Sequence, residues 1–473
     1  MNAMPQAGDA IRELQELLGH SGLLQAADQV APFLTDQRRL YRGRALAVAQ
    51  PRNTLEVAAV VACCARHRIG LVPQGGNTGY CGGATPDESG TQLLLSLRRL
   101  NRIRELDAGN FSMTVEAGCV LASVQQAAQG ANRYFPLRLG SEGSCQIGGN
   151  LSTNAGGLNV LRFGMMRDLV LGLEVVLPDG RICNALSGLR KNNTGYDLKS
   201  LFIGAEGTLG VITAATLKLW PQQHSVATAC VALRDLPAAV ELLAQLRATA
   251  GDQLNSFELL PGNAIELAIR LMPELRAPLP PVHGWYVLIE LASSADEAID
   301  ERLEQSLESA ATAGLLQDTA LARSEAQRLA LWRLREGITE MQRHLGPSIK
   351  HDISLPITKL PEFVQQAGDW VRTAVPDGIL ICYGHLGDGS LHFNIGRPAG
   401  AGDQAFLARA TAITRRIHDL VSEFGGSISA EHGIGRLKIE ELRRYKSPVE
   451  IELMQAIKRE LDPLNIMNPG KLL

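Results

Sequence analysis

The sequence has no excess of either charge and no long hydrophobic run. Lysine and arginine total 46 against 49 for aspartate and glutamate, so the net charge is only -3. No basic block is present that could gather nucleic-acid phosphates or anionic lipid, and we expect no nucleic-acid partner. The longest nearly unbroken apolar stretch, residues 57–65, falls well short of the roughly 18 residues that indicate a membrane span.

The sequence also lacks the cysteine pattern of a disulfide-stapled scaffold. Its eight cysteines contain no CxxC pair, and 473 residues are far too many for such a scaffold, so we interpret the cysteines as reduced thiols. The N-terminal stretch carries Asp9, Glu13 and Glu16 and shows neither a secretory signal nor an Arg-rich transit pattern. These absences predict a soluble cytoplasmic protein without a membrane span.

Glycine is the residue that the sequence has in excess. The 47 glycines make about 10% of the chain, against an average near 7%. The first cluster, residues 73–83, follows a short apolar strand, and its five glycines leave a row of backbone N–H groups unshielded by side chains. Such a row suits a pyrophosphate, with which a side chain at Gly76 would collide. A mobile glycine loop is the alternative for this cluster taken alone.

Two further glycine clusters favour a bound cofactor. Residues 140–157 mix glycine with small hydrogen-bonding residues, and residues 204–210 lead into a β-branched strand. Repeated clustering suggests backbone wrapped around a ligand. Neither GxGxxG opening a helix after a strand nor GxxxxGK[ST] occurs in these segments, so the Rossmann and Walker interpretations lose their main support.

The texture of the sequence changes after Pro221. Before it, short β-rich runs end in turn residues such as those at 178–180, which predicts an α+β unit and not a regular βαβ winding. After it, long helical patterns alternate with single strands such as residues 285–291. We predict domains at 1–221 and 222–424, followed by a C-terminal segment at 425–473.

A metal site is predicted by residues 381–394, which indicate two strands joined by an Asp-Gly turn. That register places His385 directly opposite His392, with Cβ atoms about 5 Å apart, so both rings could reach one ion. Asn394 projects from the same face as His392 because side chains alternate along a strand. A satisfied surface pair of histidines is the alternative.

A third ligand would decide between these interpretations, and Glu431 is the candidate. It lies with His432 at the tip of a small-residue segment, residues 425–435. Two histidines and one carboxylate, with open positions left over, suit a catalytic divalent ion, most plausibly zinc.

A predicted helix earlier in the chain carries Arg335, a candidate binding residue. Ser324 and Gln327 have capping-box spacing and predict its start. Arg335 and Thr339 are four residues apart and share one face. A solvated arginine is the alternative for Arg335.

The glycine motifs carry a resemblance to a known family. The order PQGGNTG, GSEGSCQIGGNLSTNAGG, GAEGTLGVIT and finally NPGK resembles the FAD-binding domain of the vanillyl-alcohol-oxidase-type flavoproteins, over nearly the whole chain. The C-terminal motifs resemble the FAD-linked D-2-hydroxyacid dehydrogenases, most of all their D-2-hydroxyglutarate dehydrogenase branch. The implied fold class is α+β, with a two-part FAD-binding domain, a substrate and metal domain, and a C-terminal segment that returns to the flavin.

The resemblance implies bound FAD, which we expect to be noncovalent because the first glycine loop has no histidine. The implied FAD-binding residues are Pro73, Gly75, Gly76, Asn77, Thr78, Gly79, Gly140, Ser141, Gly143, Ser144, Gly148, Gly149, Asn154, Ala155, Gly156, Glu206, Gly210, Val211, Ile212 and Asn468.

The resemblance also assigns roles in catalysis. His385, His392 and Glu431 would hold the metal, and His432 would act as the base and contact the substrate. The substrate's distal carboxylate would bind Arg335, Thr339 and Lys350, and Asn394 is a further predicted substrate contact.

The implied reaction converts D-2-hydroxyglutarate, a small dicarboxylate 2-hydroxyacid, to 2-oxoglutarate. It combines metal-assisted proton abstraction with hydride transfer to flavin N5. Electrons would leave through an electron-transfer flavoprotein or a quinone-linked carrier, and a homodimer is also considered. Within the class, D-lactate dehydrogenase and the glycolate oxidase flavin subunit are the alternatives. Two more remote alternatives are a metal-dependent hydrolase without flavin and a non-enzymatic flavin protein.

Overall fold

The computed structural model describes residues 4–280 and 282–473, which form two compact units. Unit 1 contains the chain up to Gly157, Gly164–Gln222 and Glu431–Leu473. Unit 2 contains Leu158–Phe163 and Gln223–Ala430. The C-terminal residues therefore return to the unit in which the chain begins. The domain boundaries at 221/222 and 424/425 stay predictions.

Unit 1 is built on two main sheets. One is four-stranded, and its last three strands run parallel; its order is Leu23–Leu24, Val48–Ala49, Leu93–Ser96 and Leu71–Gln74. The other is antiparallel, in the order Ile103–Asp107, Ser112–Glu116, Val211–Lys218, Val170–Val176 and Ile182–Ala185. A small ribbon pairs Arg133–Tyr134 with Trp220–Pro221.

Helices surround these sheets. The α-helices of unit 1 are Met4–Leu18, Ala27–Val30, Thr54–His67, Leu121–Gly130, Ile147–Ser152, Lys199–Phe202, Ile439–Tyr445 and Pro448–Leu461. Helix Thr54–His67 begins where the Asn53 side chain accepts a 2.9 Å hydrogen bond from Glu56 N, and it ends at left-handed Arg68. It buries Val57, Val60 and Val61 in the core of the unit.

The strand that enters the first glycine cluster is held by the C-terminal tail. Leu71 N donates to Ile466 O at 2.7 Å, and Asn468 N donates to Leu71 O at 2.8 Å. Met467 thus forms a parallel bridge with Leu71, the first residue of strand Leu71–Gln74. The C-terminal tail therefore holds the start of the strand that leads into the glycine cluster.

Unit 2 contains an eight-stranded antiparallel sheet. Its order is Leu316–Leu321, Ser225–Leu233, Trp285–Ser293, Leu254–Pro261, Ile379–His385, Ser390–Gly396 and Ser348–Ile349, and Asp352–Ser354 also pairs with Ser390–Gly396. Its α-helices are Val160–Phe163, Leu236–Ala250, Gly262–Leu271, Ile299–Thr312, Glu325–Met341, Leu360–Ala374, Asp403–Leu407 and Ala410–Glu423.

The predicted helix start at Ser324 is confirmed. Its side chain accepts a 3.3 Å hydrogen bond from Gln327 N, and helix Glu325–Met341 follows. The Gln327 side chain accepts from Arg323 N and not from Ser324 N, so only half of the capping box forms. The apolar stripe of this helix, including Leu334 and Ile338, is buried in the core of unit 2.

The mixture of helices and largely antiparallel sheets agrees with the predicted α+β class. All eight cysteines are free thiols. Within the described ranges, no helix combines the length and the apolar character that crossing a bilayer requires.

Candidate flavin and substrate sites

A cavity in unit 1 brings the three glycine clusters together. It encloses about 900 Å³ of empty space, counting the part open to solvent. The predicted site residues that line it are Pro73, Gly75, Gly76, Asn77, Thr78, Gly79, Gly148, Gly149, Glu206, Gly210, Val211, Ile212 and His432. Segments more than 300 residues apart in sequence thus share one wall.

The glycines of this wall serve two different purposes. A Cβ added at Gly79 or Gly149 would meet no atom within 4 Å, so the protein itself does not require glycine there. A Cβ at Gly76 would lie 2.2 Å from Ser144 O. Gly76 is therefore needed for close packing of the first cluster on the second, in addition to its predicted role of leaving room for phosphate.

The cavity fits a ligand rich in hydrogen-bonding groups. The Gln146 side chain lines it, and its buried Oε1 accepts no hydrogen bond within the described ranges. A buried polar atom of this kind is costly unless a ligand or water bonds it. Asn150, Ser152 and Thr153 also line the cavity. Sequence reasoning missed these four residues, although they lie inside the second glycine motif.

Several predicted FAD-binding residues lie outside the lining of the cavity: Gly140, Ser141, Gly143, Ser144, Asn154, Ala155, Gly156 and Asn468. Two of them organise its walls instead. Asn154 Oδ1 accepts from Arg167 N at 2.9 Å. Asn468 Nδ2 donates to Gly83 O at 2.9 Å and to Glu206 O at 2.7 Å, so it ties the C-terminal motif to two glycine loops.

Glu206 anchors the turn that follows His432. Its Oε1 accepts from Ile434 N and its Oε2 from Gly435 N, both at 2.7 Å. Burial raises the pKa of this carboxyl, and the two N–H groups oppose the shift. The predicted contact of Glu206 with FAD stays a prediction, whereas its side chain is engaged with this turn.

His432 lies on the cavity wall against Tyr80. The two rings meet edge to face, with centroids 4.9 Å apart, and both residues line the cavity. Next to His432, Glu431 Oε2 accepts a 3.2 Å hydrogen bond from Gly157 N, at the end of the second glycine motif. The backbone of that motif thus helps to place the acid and base pair. Sequence reasoning did not assign Tyr80 to the site.

The predicted register of the metal hairpin in unit 2 is wrong by two residues. His392 pairs with Tyr383 and not with His385. The chain turns through the 3₁₀ segment Leu386–Asp388, and Gly389 ends it at a φ of +86°, so the connection is longer than a two-residue turn. Because the shift is two residues, both imidazoles keep the same face, and their ring centroids are 6.1 Å apart.

Glu258 links the first of these histidines to the predicted carboxylate-binding arginine. It is the register partner of His385 on strand Leu254–Pro261. Its Oε1 lies 2.7 Å from His385 Nδ1, and its Oε2 accepts from Arg335 Nε at 2.8 Å. Burial by itself raises the pKa of Glu258, but His385 and Arg335 outweigh it and hold that pKa well below its ordinary value.

Tyr383 connects the remaining predicted substrate residues. The Arg335 guanidinium lies 4.9 Å above its ring, and its hydroxyl is 3.1 Å from Thr339 Oγ1. The hydroxyl also accepts from Gln342 Nε2 at 3.2 Å, and Gln342 Oε1 accepts from Asn394 Nδ2 at 2.9 Å. Thr339 and Asn394 thus belong to one hydrogen-bonded group with Tyr383 and Gln342, and the Arg335 guanidinium packs on the Tyr383 ring of that group.

Sequence reasoning missed Glu258, Tyr383 and Gln342. A single charged residue in an otherwise uncharged strand was the available signal for Glu258, whereas nothing local marked the other two. Lys350 is exposed and lies between strands Ser348–Ile349 and Asp352–Ser354. Asp352, which was also missed, is the register partner of His392.

Comparison with known proteins identifies the family of the chain. The family described as "FAD linked oxidases, C-terminal domain" matches residues 222–472, and the "FAD binding domain" family matches residues 45–185. The chain belongs to the FAD-linked oxidase family. It is an FAD-dependent oxidoreductase, and the resemblance inferred from the glycine motifs is confirmed.

Curated relatives cover nearly the whole chain. A probable D-2-hydroxyglutarate dehydrogenase of Oryza sativa subsp. indica is 39% identical over 98% of this chain and 82% of its own length. The D-2-hydroxyglutarate dehydrogenase of Bos taurus is 39% identical over 94% and 80%. That of Xanthomonas citri pv. viticola is 38% identical over 92% and 91%.

Solved structures confirm the fold class. p-Cresol methylhydroxylase with substrate bound has a TM-score of 0.77 at 17% identity, covering 99% of this chain and 97% of the other. 4-Ethylphenol oxidase from Gulosibacter chungangensis has a TM-score of 0.75 at 19% identity, covering 99% and 97%. At such low identity the likeness shows the fold alone.

The predicted cytoplasmic location is wrong by this comparison. The relatives from Oryza sativa, Arabidopsis thaliana and Bos taurus are all named mitochondrial. The charge pattern of the N-terminal residues was an unreliable guide, because it records only what a short segment lacks.

Proposed function

We propose that this oxidoreductase converts D-2-hydroxyglutarate to 2-oxoglutarate with noncovalent FAD and a divalent metal, zinc being the best fit. The names of the relatives support the substrate. The observation that carries the proposal is the bridge from His385 through Glu258 to Arg335. It joins a residue suited to a metal to a buried cation suited to a second carboxylate.

The donor chemistry supports the metal. Imidazoles of His385 and His392 lie on one face of the hairpin, and Glu431 is the third proposed ligand on the strength of its sequence motif. Two nitrogens and one carboxylate, with positions left open, suit catalytic zinc. When bound, the ion supplies a Lewis acid and FAD supplies the acceptor of two electrons.

His432 is the proposed base. Its ring lies on the wall of the cavity that the glycine clusters form, and Tyr80 packs against it edge to face. The turn behind it is fixed by Glu206. A base held in this way can take the proton of the 2-hydroxyl while its ring orientation is maintained.

Arg335 is the proposed reader of the distal carboxylate, helped by Thr339 and Lys350. Its planar guanidinium is buried and matches a carboxylate in bidentate geometry. A monocarboxylate such as D-lactate leaves this buried cation without its ligand, which is costly. Asn394 is hydrogen-bonded through Gln342 and Tyr383 to Thr339 and is a proposed substrate contact.

We also propose that electrons leave through an electron-transfer flavoprotein or a quinone-linked carrier. The dehydrogenase names of the relatives support an acceptor other than oxygen. We propose a homodimer as the assembly of this chain.

An anaerobic reduction screen tests the function. Stoichiometric D-2-hydroxyglutarate should bleach the visible flavin absorbance much faster than D-lactate or glycolate does. D-malate should bleach it at an intermediate rate, because its second carboxylate is one methylene nearer to the first. After metal removal verified by elemental analysis, bleaching should slow strongly and return on adding Zn²⁺. Equal rates for all four acids, or full activity without metal, would contradict the proposal.

A further inference from the structure

Glu258 is a buried acid in a fully buried strand of unit 2. It is the only charged residue of strand Leu254–Pro261, all of which is buried. Its neighbours Phe257 and Leu259 are almost wholly enclosed. A buried carboxylate is expensive unless paired and hydrogen-bonded, so its presence calls for a reason beyond packing.

One oxygen of Glu258 sets the orientation of His385. The two residues are register partners on adjacent antiparallel strands, so the backbone itself holds them together. The distance of 2.7 Å to Nδ1 is that of a strong hydrogen bond. A neutral imidazole that donates from Nδ1 carries its lone pair on Nε2, and carboxylates commonly fix metal-binding histidines in this way.

The other oxygen sets the orientation of Arg335. Nε donates to it at 2.8 Å, and the guanidinium also lies over the Tyr383 ring. This pair involves Nε, whereas the end of the guanidinium consists of Nη1 and Nη2. That end is the fork that binds a carboxylate in bidentate fashion.

We infer that Glu258 is a positioning residue which holds His385 and Arg335 at one fixed separation and so determines the length of dicarboxylate that the site accepts. The inference rests on the proposed function, since it takes His385 as a metal ligand and Arg335 as the reader of the distal carboxylate. A single rigid carboxylate between both residues couples metal affinity to the choice between a five-carbon and a four-carbon substrate.

The test uses the holoenzyme with Glu258→Gln, which keeps size but cannot accept from both donors. Metal affinity, measured by competition with a chelator, should fall about 10- to 100-fold. KM for D-2-hydroxyglutarate should rise more than kcat falls, and the preference for D-2-hydroxyglutarate over D-malate should narrow. FAD content should be unchanged, because the flavin cavity lies in unit 1.

Glu290→Gln is the matched control. Glu290 is also a buried acid of the same sheet, but it bonds Trp332 Nε1 at 2.7 Å and contacts neither His385 nor Arg335 within the described residues. This variant should lose stability while keeping metal affinity and substrate preference. Glu258→Asp is the second test variant, since it keeps the charge for folding but is one methylene too short to reach both partners.

The outcomes separate the inference from the proposed function. If Glu258→Gln and Glu258→Asp lose only stability, as Glu290→Gln does, the positioning role is overturned. If the wild-type protein binds no metal and reduces its flavin without one, the metal proposal itself fails. Weakened metal binding together with a narrowed substrate preference supports the inference.

Discussion

The carboxylate of Glu206 accepts a 2.7 Å hydrogen bond from the backbone N–H of Ile434, two residues after the proposed base His432. A second bond of the same length comes from Gly435 N. Gly433 lies so close that an added Cβ would be 2.8 Å from Glu206 Oε1. The third glycine motif therefore does more than line the flavin cavity, because its acid shapes the turn that presents His432.

Glu206→Gln should lower the free energy of unfolding by about 1–3 kcal/mol, because the amide can satisfy only one of the two backbone donors. Flavin reduction should slow as the turn loosens. Thermal unfolding and stopped-flow reduction measure both effects, and exposed Glu88→Gln is the control. An unchanged unfolding curve would show that the turn does not depend on this acid.

Glu206 also predicts a pH dependence of stability. Burial raises its pKa above the ordinary 4.5, so the folded protein binds this proton more tightly than the unfolded chain does. The contribution of this group to stability is therefore greatest below pH 4.5 and is lost as pH rises through the raised pKa. The free energy of unfolding of the wild-type protein minus that of Glu206→Gln should therefore fall as pH rises across that window. A difference that rises with pH would refute the raised pKa of Glu206.

Gly79→Leu should yield a folded protein that retains little FAD. Gly79 lines the cavity and has open space at its Cβ position, so the new side chain occupies the flavin volume without disturbing the protein. Gly130→Leu is the control, since Gly130 is exposed and has equally open space but lies outside the lining. Flavin absorbance per protein is the measurement. Full flavin content in Gly79→Leu would exclude the first glycine cluster as the FAD site.

His432→Ala should keep FAD and metal but slow flavin reduction by about 10²- to 10⁴-fold, the usual effect of removing a positioned proton acceptor. Anaerobic stopped-flow reduction and elemental analysis measure the two properties separately. Exposed His344→Ala is the control and should behave as wild type. Loss of metal from His432→Ala would make this residue a ligand and not the base.

Arg335→Ala should damage turnover of D-2-hydroxyglutarate more than turnover of D-lactate, because only the dicarboxylate offers a second carboxylate to the Nη1 and Nη2 end of the guanidinium. It should also lower the free energy of unfolding of unit 2 by about 3–5 kcal/mol, since Glu258 loses a buried ion-pair partner. Arg333→Ala is the matched control, because it removes an exposed arginine of the same helix and should leave both turnover and stability as in wild type. Equal losses of kcat/KM for both substrates would show that Arg335 does not read the distal carboxylate.

Features that depend on local chemistry could be predicted from the amino-acid sequence. Glycine clusters at residues 73–83, 140–157 and 204–210 exposed backbone in a way that predicted a cofactor, and the comparisons confirm FAD binding. The helix start at Ser324 followed from capping, which involves only neighbouring residues. The α+β class followed from the spacing of strands and turns.

The meeting of distant side chains depends on tertiary structure. His385 does not pair with His392 because the chain turns through the 3₁₀ segment Leu386–Asp388. On the other side of its strand His385 pairs with Glu258, 127 residues away in sequence, and no local pattern encodes that pairing. Glu206 and Ile434 are separated by 228 residues in sequence, and their hydrogen bond could not be predicted from the residues around either of them. Such contacts depend on strand order and on the return of the C-terminal tail to unit 1, and these are properties of the packed chain as a whole.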